Sequence, residues 1–109
     1  MKIDISKIKT VEFEKGLKLC ADIKSSFGNN EAYVVGGCVR DILRAAAGQT
    51  EYPEIHDVDI ATNMPMDMLI QRYKTASNNG EAHGTMLVFM GDIPFEVTQF
   101  RTDGTYSDG

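Results

Sequence analysis

Apolar residues recur along the first part of the chain at Val11, Phe13, Leu17, Cys20, Ile23 and Phe27. This spacing predicts an amphipathic helix over Val11 to Phe27 whose apolar stripe covers one face of a sheet. Thr10 is placed to cap that helix, Glu12 and Glu14 sit at the positive end of its dipole, and Gly28-Asn29-Asn30 stops it. Ala32-Tyr33-Val34-Val35 is a short run of strand formers halted by Gly36-Gly37. Cys38 to Ala47 reads as a helix closed by Gly48, and Gln49 to His56 as a loop. A second strand is expected over Asp57 to Ala61, then a helix from Asn63-Met64-Pro65 to about Lys74, with Pro65 in its first turn. Thr75 to Gly84 is polar and glycine-containing, hence a loop. Thr85 to Met90 and Phe95 to Arg101 read as strands joined through Gly91-Asp92, a hairpin signal. Thr102 to Gly109 has turn composition and no periodicity.

Composition adds bounds. A chain of 109 residues with 42% hydrophobic content suits one domain with one core. No apolar run reaches the roughly eighteen residues that span a bilayer, so no membrane partner is expected. Met1 to Ser6 lacks the continuous apolar stretch of a signal peptide. Cys20 and Cys38 make no disulfide framework; Cys20 lies on the helical stripe as a buried thiol, and a reducing cytoplasmic compartment fits best. Met64, Met66 and Met68 read as packing at a helix start. The net charge of −5 matters more, because nucleic-acid binding draws on basic surface. Four of the seven lysines fall in the first fifteen residues and acids dominate the rest. If a nucleic acid is the substrate, most of its grip comes from elsewhere.

The chemistry-bearing segment is Gly36-Gly37-Cys38-Val39-Arg40-Asp41. A strand that ends in two glycines and feeds a helix lets phosphate oxygens approach the backbone and meet unpaired amides at a positive dipole end. Arg40, in the first turn, has a guanidinium suited to bidentate phosphate contact. Asp41 favours the helix start and is placed to orient an arginine. Taken alone, Gly-Gly after a strand is more often a tight turn, and Arg40-Asp41 a solvated surface pair.

Sixteen residues after Asp41 comes Asp57-Val58-Asp59. The two-residue period of a strand sets both carboxylates on one face, with Val58 and Ile60 on the buried side. Neighbouring carboxylates repel unless a cation lies between them, and hard oxygen ligands suit Mg²⁺. A two-metal centre of this kind activates an attacking hydroxyl and stabilises a leaving pyrophosphate. Glu96 is the best third carboxylate, with Phe95 and Val97 on the opposite face. An isolated Asp-x-Asp is usually a solvent-facing edge or turn, so chain order carries much of the weight. His83, in Gly80-Glu81-Ala82-His83-Gly84-Thr85, reads as a loop-ordering or substrate-edge residue; with only His56 besides, a zinc site lacks ligands.

These residues resemble the catalytic head of the class II tRNA nucleotidyltransferases (CCA-adding enzymes) and bacterial poly(A) polymerases. The resemblance is carried by Val35 to Asp41, Asp57 to Thr62, Pro65, His83-Gly84-Thr85 and Phe95 to Arg101, continues through Asp103 to Gly109, and covers roughly residues 31 to 109. It implies an α/β (α+β) polymerase-β-like nucleotidyltransferase fold, a mixed sheet of about four to five strands backed by helices, truncated by the short chain. Residues 1–30 would form an N-terminal helix region before a catalytic core at 31–109. The implied reaction is attack of a tRNA 3′-hydroxyl on the α-phosphate of CTP or ATP. Asp57 and Asp59 would hold two Mg²⁺ ions, with Glu96 as the further catalytic carboxylate. Gly36 and Gly37 would contact the triphosphate, Arg40 would assist, and Arg101 matches a family arginine near the site. The family's neck, which selects the base, and its body and tail, which hold tRNA, have no counterpart in these 109 residues. The expectation is therefore a catalytic fragment or subunit needing further domains or a second chain. The alternative is a truncated module that binds Mg·NTP or a partner with little turnover. An exposed sheet edge would also favour homo-oligomers.

Overall fold

The computed structural model describes residues 3–26, 30–77 and 84–100. Helix α1 spans Val11–Lys24, with Thr10 accepting a hydrogen bond from the Phe13 amide and Glu12 and Glu14 in the first turn. A single 3-10 turn, Ile5–Lys7, precedes it. The helix closes on Ser25, short of the expected Phe27; residues 27–29 lie outside the described segments.

The buried stripe of α1 is Phe13, Gly16, Leu19, Cys20 and Ile23. Val11 was expected on it but is 51% exposed, and Leu17 only borders the core. The difference arises at Gly16, which an apolar count skips. A Cβ there would lie 2.9 Å from Val58 Cγ1 and 3.3 Å from Phe95 Cε1. The missing side chain lets α1 settle onto the sheet, and this contact sets the helix's rotation.

The strands are β1 (Ala32–Val35), β2 (Asp59–Thr62), β3 (Lys74–Ser77), β4 (Thr85–Met90) and β5 (Ile93–Gln99), in the order β1-β2-β5-β4-β3. Only the β2–β5 pair among them is parallel. Helix α2 covers Gly37–Ala46 and α3 covers Met66–Arg72. The fold is thus the expected α+β arrangement with a mixed sheet.

Helix α2 stops where Gly48 predicts. Gly48 takes φ +83, its amide bonds the Ala45 carbonyl at 3.0 Å, and the Gln49 amide bonds Arg44 at 2.9 Å, a Schellman closure. Pro65 takes the N-cap of α3 rather than its first turn, and Tyr73 turns extended, ending that helix before Lys74. The segment expected to be a loop from Thr75 begins instead as strand β3. Lys-Thr-Ala-Ser has no apolar alternation of its own; its order comes from the ladder with β4, where Thr75 faces Val88.

Val58, Ile60 and Thr62 of the β2 region, with Phe95 and Val97 of β5, are buried on one face of the sheet. They join Phe13, Leu19 and Ile23 of α1, Ile42 of α2 and Leu69 of α3 in the core, as do Cys20 and Met64. Asp59, Ala61, Glu96 and Thr98 alternate onto the other face. No helix of the described residues is long and apolar enough to cross a membrane.

Candidate active site

The glycine turn is built by two different constraints. Gly36 has φ +90 and ψ −162, backbone that side chains other than glycine rarely adopt. A Cβ there would also stand 2.8 Å from Asp59 Oδ2. Gly37 opens α2, and a Cβ on it would lie 3.3 Å from Arg40 Nη2, so the guanidinium folds back over the turn. Arg40 is 63% exposed and its Nε sits 3.3 Å from Asp41 Oδ1, the arginine-orienting role expected of Asp41. No side chain caps α2, and the Val39 amide bonds the Gly36 carbonyl at 3.1 Å, so the Gly37 and Cys38 amides at its start are the ones placed to meet solvent or an anion.

The carboxylates come from neighbouring strands. Asp59 pairs in register with Val35 of β1 on one side and Glu96 of β5 on the other. Burial first, then the charges of Glu96 and Asp57, push the Asp59 carboxyl pKa above its ordinary value. Asp57 requires a correction: it was expected on the strand, but the ladder starts at Asp59. By then β1 has turned away at Gly36, and the β2–β5 register runs back to Pro94, which has no amide hydrogen to offer. The alternation survives without the ladder, since Val58 is 4% exposed while Asp57 faces solvent.

Two clefts meet at these acids. One, of about 270 Å³, lies between the start of α2 and residues 53–57, and is bordered by Gly37, Arg40 and Asp41. The other, of about 290 Å³, is bordered by Leu87, Pro94 and Glu96. Asp57 and Asp59 line both. Among the described residues no three His, Cys, Asp or Glu side chains form a set that holds a metal ion unaided. A few carboxylates short of a full set are the kind of protein contribution that Mg²⁺ uses where substrate phosphates complete its shell.

Cys38 and His56 also line the first cleft, and sequence reasoning assigned neither to the site. The Cys38 thiol donates to the Val35 carbonyl at 3.6 Å; burial and then the Asp59 charge raise its pKa. His56 lies between Glu12 and Glu54, at 3.2 Å and 3.5 Å, and these bonds raise its pKa. The available signals were adjacency alone: Cys38 follows Gly37, and His56 precedes Asp57. Arg101 and His83 lie outside the described residues, as do residues 102–109.

Comparison with known proteins bears on the family and the fold. Residues 32–109 match the family described as the poly A polymerase head domain. The chain is 42% identical over 97 residues to the CCA-adding enzyme of Streptococcus pneumoniae, covering 89% of this chain and 22% of that enzyme. It is 41% identical over 97 residues to the CCA-adding enzyme of Enterococcus faecalis, with the same coverage of 89% and 22%. The crystal structure of the Bacillus stearothermophilus CCA-adding enzyme in complex with CTP superposes with a TM-score of 0.61 at 37% identity, over 88% of this chain and 22% of that one. The chain therefore spans about a fifth of the length of these relatives. Because that family model matches residues 32–109, well over half of the chain, this chain belongs to the poly A polymerase head domain family.

Proposed function

We propose that this chain carries the nucleotidyl-transfer site of a tRNA 3′-end nucleotidyltransferase, moving a nucleotide from CTP or ATP onto the 3′-hydroxyl of tRNA. The observation that carries this reading is the position of Asp57 and Asp59 on the wall shared by two clefts, one edged by Gly37 and Arg40 and the other by Glu96. With these carboxylates bordering both clefts, a triphosphate in one and an acceptor in the other would meet beside them, the hydroxyl facing the α-phosphate. The relatives support the substrate classes, being CCA-adding enzymes, one of them described in complex with CTP.

In this reading the triphosphate occupies the first cleft. Gly36 and Gly37 keep the backbone open to it, the first amides of α2 face its oxygens, and Arg40 leaves Asp41 to neutralise them. The acceptor hydroxyl enters on the Glu96 side, where that carboxylate takes its proton as the new P–O bond forms and pyrophosphate leaves. Positioning of both reactants in line does most of the work. The donor set fits Mg²⁺: hard oxygens, crowded negative charge at a half-buried Asp59, and an incomplete shell. Held by Asp57 and Asp59, Mg²⁺ would supply charge neutralisation and a more acidic hydroxyl. Base selection and the grip on tRNA fall to further domains or a second chain, consistent with the net charge of −5. Free Cys20 and Cys38 suit a reducing cytoplasm.

The test is incorporation of labelled CMP or AMP into tRNA lacking its 3′ end, with the Asp57→Ala, Asp59→Ala double variant as control. Incorporation that depends on both aspartates is expected, from the chain alone or supplemented with the neck-bearing remainder of a relative. Nucleotide binding without incorporation in either arrangement would instead make the chain a Mg·NTP-binding module.

A further inference from the structure

The segment that delivers Asp57 has no regular structure: residues 51–58 belong to neither helix nor strand, and the ladders on either side of β2 begin at Asp59. Its side-chain anchors come from the N-terminal residues. The Asp4 amide donates to Tyr52 Oη at 3.1 Å, and the Lys7 ammonium lies 6.0 Å over the Tyr52 ring. Thr10 Oγ1 donates to the Ile55 carbonyl at 2.5 Å, and Glu12 Oε2 stands 3.2 Å from His56 Nδ1. Ile55 itself is 4% exposed, so its carbonyl is held from one side by the core and from the other by Thr10. Asp57 follows this pinned pair directly, yet is itself exposed. None of the anchoring residues falls within the matched span 32–109.

We propose that Thr10 and Glu12, at the start of α1, are positioning residues that hold the Ile55–His56 main chain and thereby set where Asp57 presents its carboxylate. The proposal rests on the nucleotidyl-transfer reading above. Without strand pairing at Asp57, these contacts are what convert a loop residue into a fixed ligand. Outer contacts of this kind typically change metal affinity or activity about 10–100-fold when lost.

The Thr10 hydroxyl has two separable tasks. Its oxygen accepts from the Phe13 amide at 3.4 Å to cap α1, and its hydrogen goes to Ile55. Thr10→Asp keeps a good cap acceptor but has no hydrogen to give; Thr10→Ser keeps both. In the full chain, Thr10→Asp should raise the Mg²⁺ concentration for half-maximal incorporation about tenfold and lower kcat similarly, with KM for the nucleotide little changed. Thr10→Ser should match the wild type, and Thr10→Asp should lose about the several degrees of thermal midpoint that one part-buried hydrogen bond is worth while staying folded at the assay temperature. The added negative charge by itself would tighten cation binding, so weaker binding reports displacement of Asp57. Glu12→Ala, at a half-buried position whose side chain takes no part in the cap, should shift Mg²⁺ dependence in the same direction by about threefold, a smaller loss because the His56 side of that contact is solvent-exposed and screened. Direct Mn²⁺ titration of the same proteins gives a readout independent of turnover. Mg²⁺ and Mn²⁺ dependences of Thr10→Asp and Glu12→Ala equal to those of Thr10→Ser would overturn the proposal. A wild-type chain that neither binds Mn²⁺ nor incorporates nucleotide, alone or supplemented, would overturn the functional reading and this proposal together.

Discussion

Gly36 and Asp59 occupy adjoining space at the head of the sheet: a Cβ on residue 36 would come within 2.8 Å of Asp59 Oδ2. They meet because Val35, the last residue of β1, pairs with Asp59, the first of β2. The glycine is therefore required by the carboxylate as well as by any phosphate. The turn and the acids, which look like two separate motifs in the chain, form one packed unit.

Gly36→Ala should be the more damaging of the two glycine substitutions. It places a side chain at φ +90 and against Asp59, for a cost of about 1–3 kcal/mol. Displacing Asp59 should lower incorporation roughly a hundredfold. Gly37→Ala meets only the flexible end of Arg40, at 3.3 Å, so it should leave stability near the wild type, and its loss of incorporation should be smaller than that of Gly36→Ala and appear mainly in KM for the nucleotide. Thermal unfolding and incorporation assays on both variants check this; equal losses would show that the Asp59 contact is not the constraint.

Asp59→Asn should stabilise the fold at neutral pH while abolishing incorporation. The folded carboxyl pKa is raised above 3.8, chiefly by burial and then by Glu96 and Asp57. In the window from 3.8 up to the raised value the unfolded chain binds fewer protons, so this group's contribution to stability falls as pH rises. The ionised group then weighs against folding above that window. A higher melting temperature at pH 7 for Asp59→Asn, with Mg²⁺ raising the wild-type midpoint but not the variant's, is the expected pair of results.

Tyr73→Phe should cost about 1 kcal/mol, the ordinary worth of a hydrogen bond to a partly exposed carboxylate. Tyr73 Oη donates to Asp22 Oδ2 at 2.5 Å, tying α3's end to α1, and the Tyr73 pKa rises to about 12. The same bond lowers the Asp22 pKa below 3.8. Its contribution is thus present above the unfolded Asp22 value and lost as pH falls through the folded one, or as pH rises toward 12. Denaturant unfolding from pH 3 to pH 7 should show the wild type and Tyr73→Phe converging at the acid end.

The effect of Gly16→Ala should depend on its neighbour. In the wild type the new methyl lies 2.9 Å from Val58 Cγ1, and overpacking of that kind costs about 1–3 kcal/mol against about 1 kcal/mol gained in helix propensity. In a Val58→Ala background the nearer crowding atom is gone and only the Phe95 contact at 3.3 Å remains, so Gly16→Ala should be close to neutral. A double-mutant cycle by urea unfolding measures the coupling; simple additivity would refute the contact.

Much of the fold was legible because its signals are local. Thr10 caps α1 and Gly48 ends α2 through bonds within a few residues, and β1 and β4 matched their apolar runs residue for residue. Strand β3 was not legible, since Lys74 to Ser77 is ordered by β4 and not by its own pattern. Gly16 and Leu19 were missed on the α1 stripe because packing, not hydrophobicity, sets the rotation of that helix. The carboxylates were found as residues, but Asp57 was misplaced by the strand boundary.

The sequence by itself determined which chemical groups exist and in what order: two glycines at a strand end, an arginine one helical turn on, two aspartates in alternation, and a glutamate between buried neighbours. Periodicity reports local geometry, so it could assign those groups to faces. Tertiary structure alone decided which of them touch. The register of β2 between β1 and β5 set Asp59 against both Gly36 and Glu96, and the packing of α1 brought Thr10 to the carbonyl two residues before Asp57. Those contacts join distant parts of the chain, where only the pairing of strands and the filling of the core choose the neighbour.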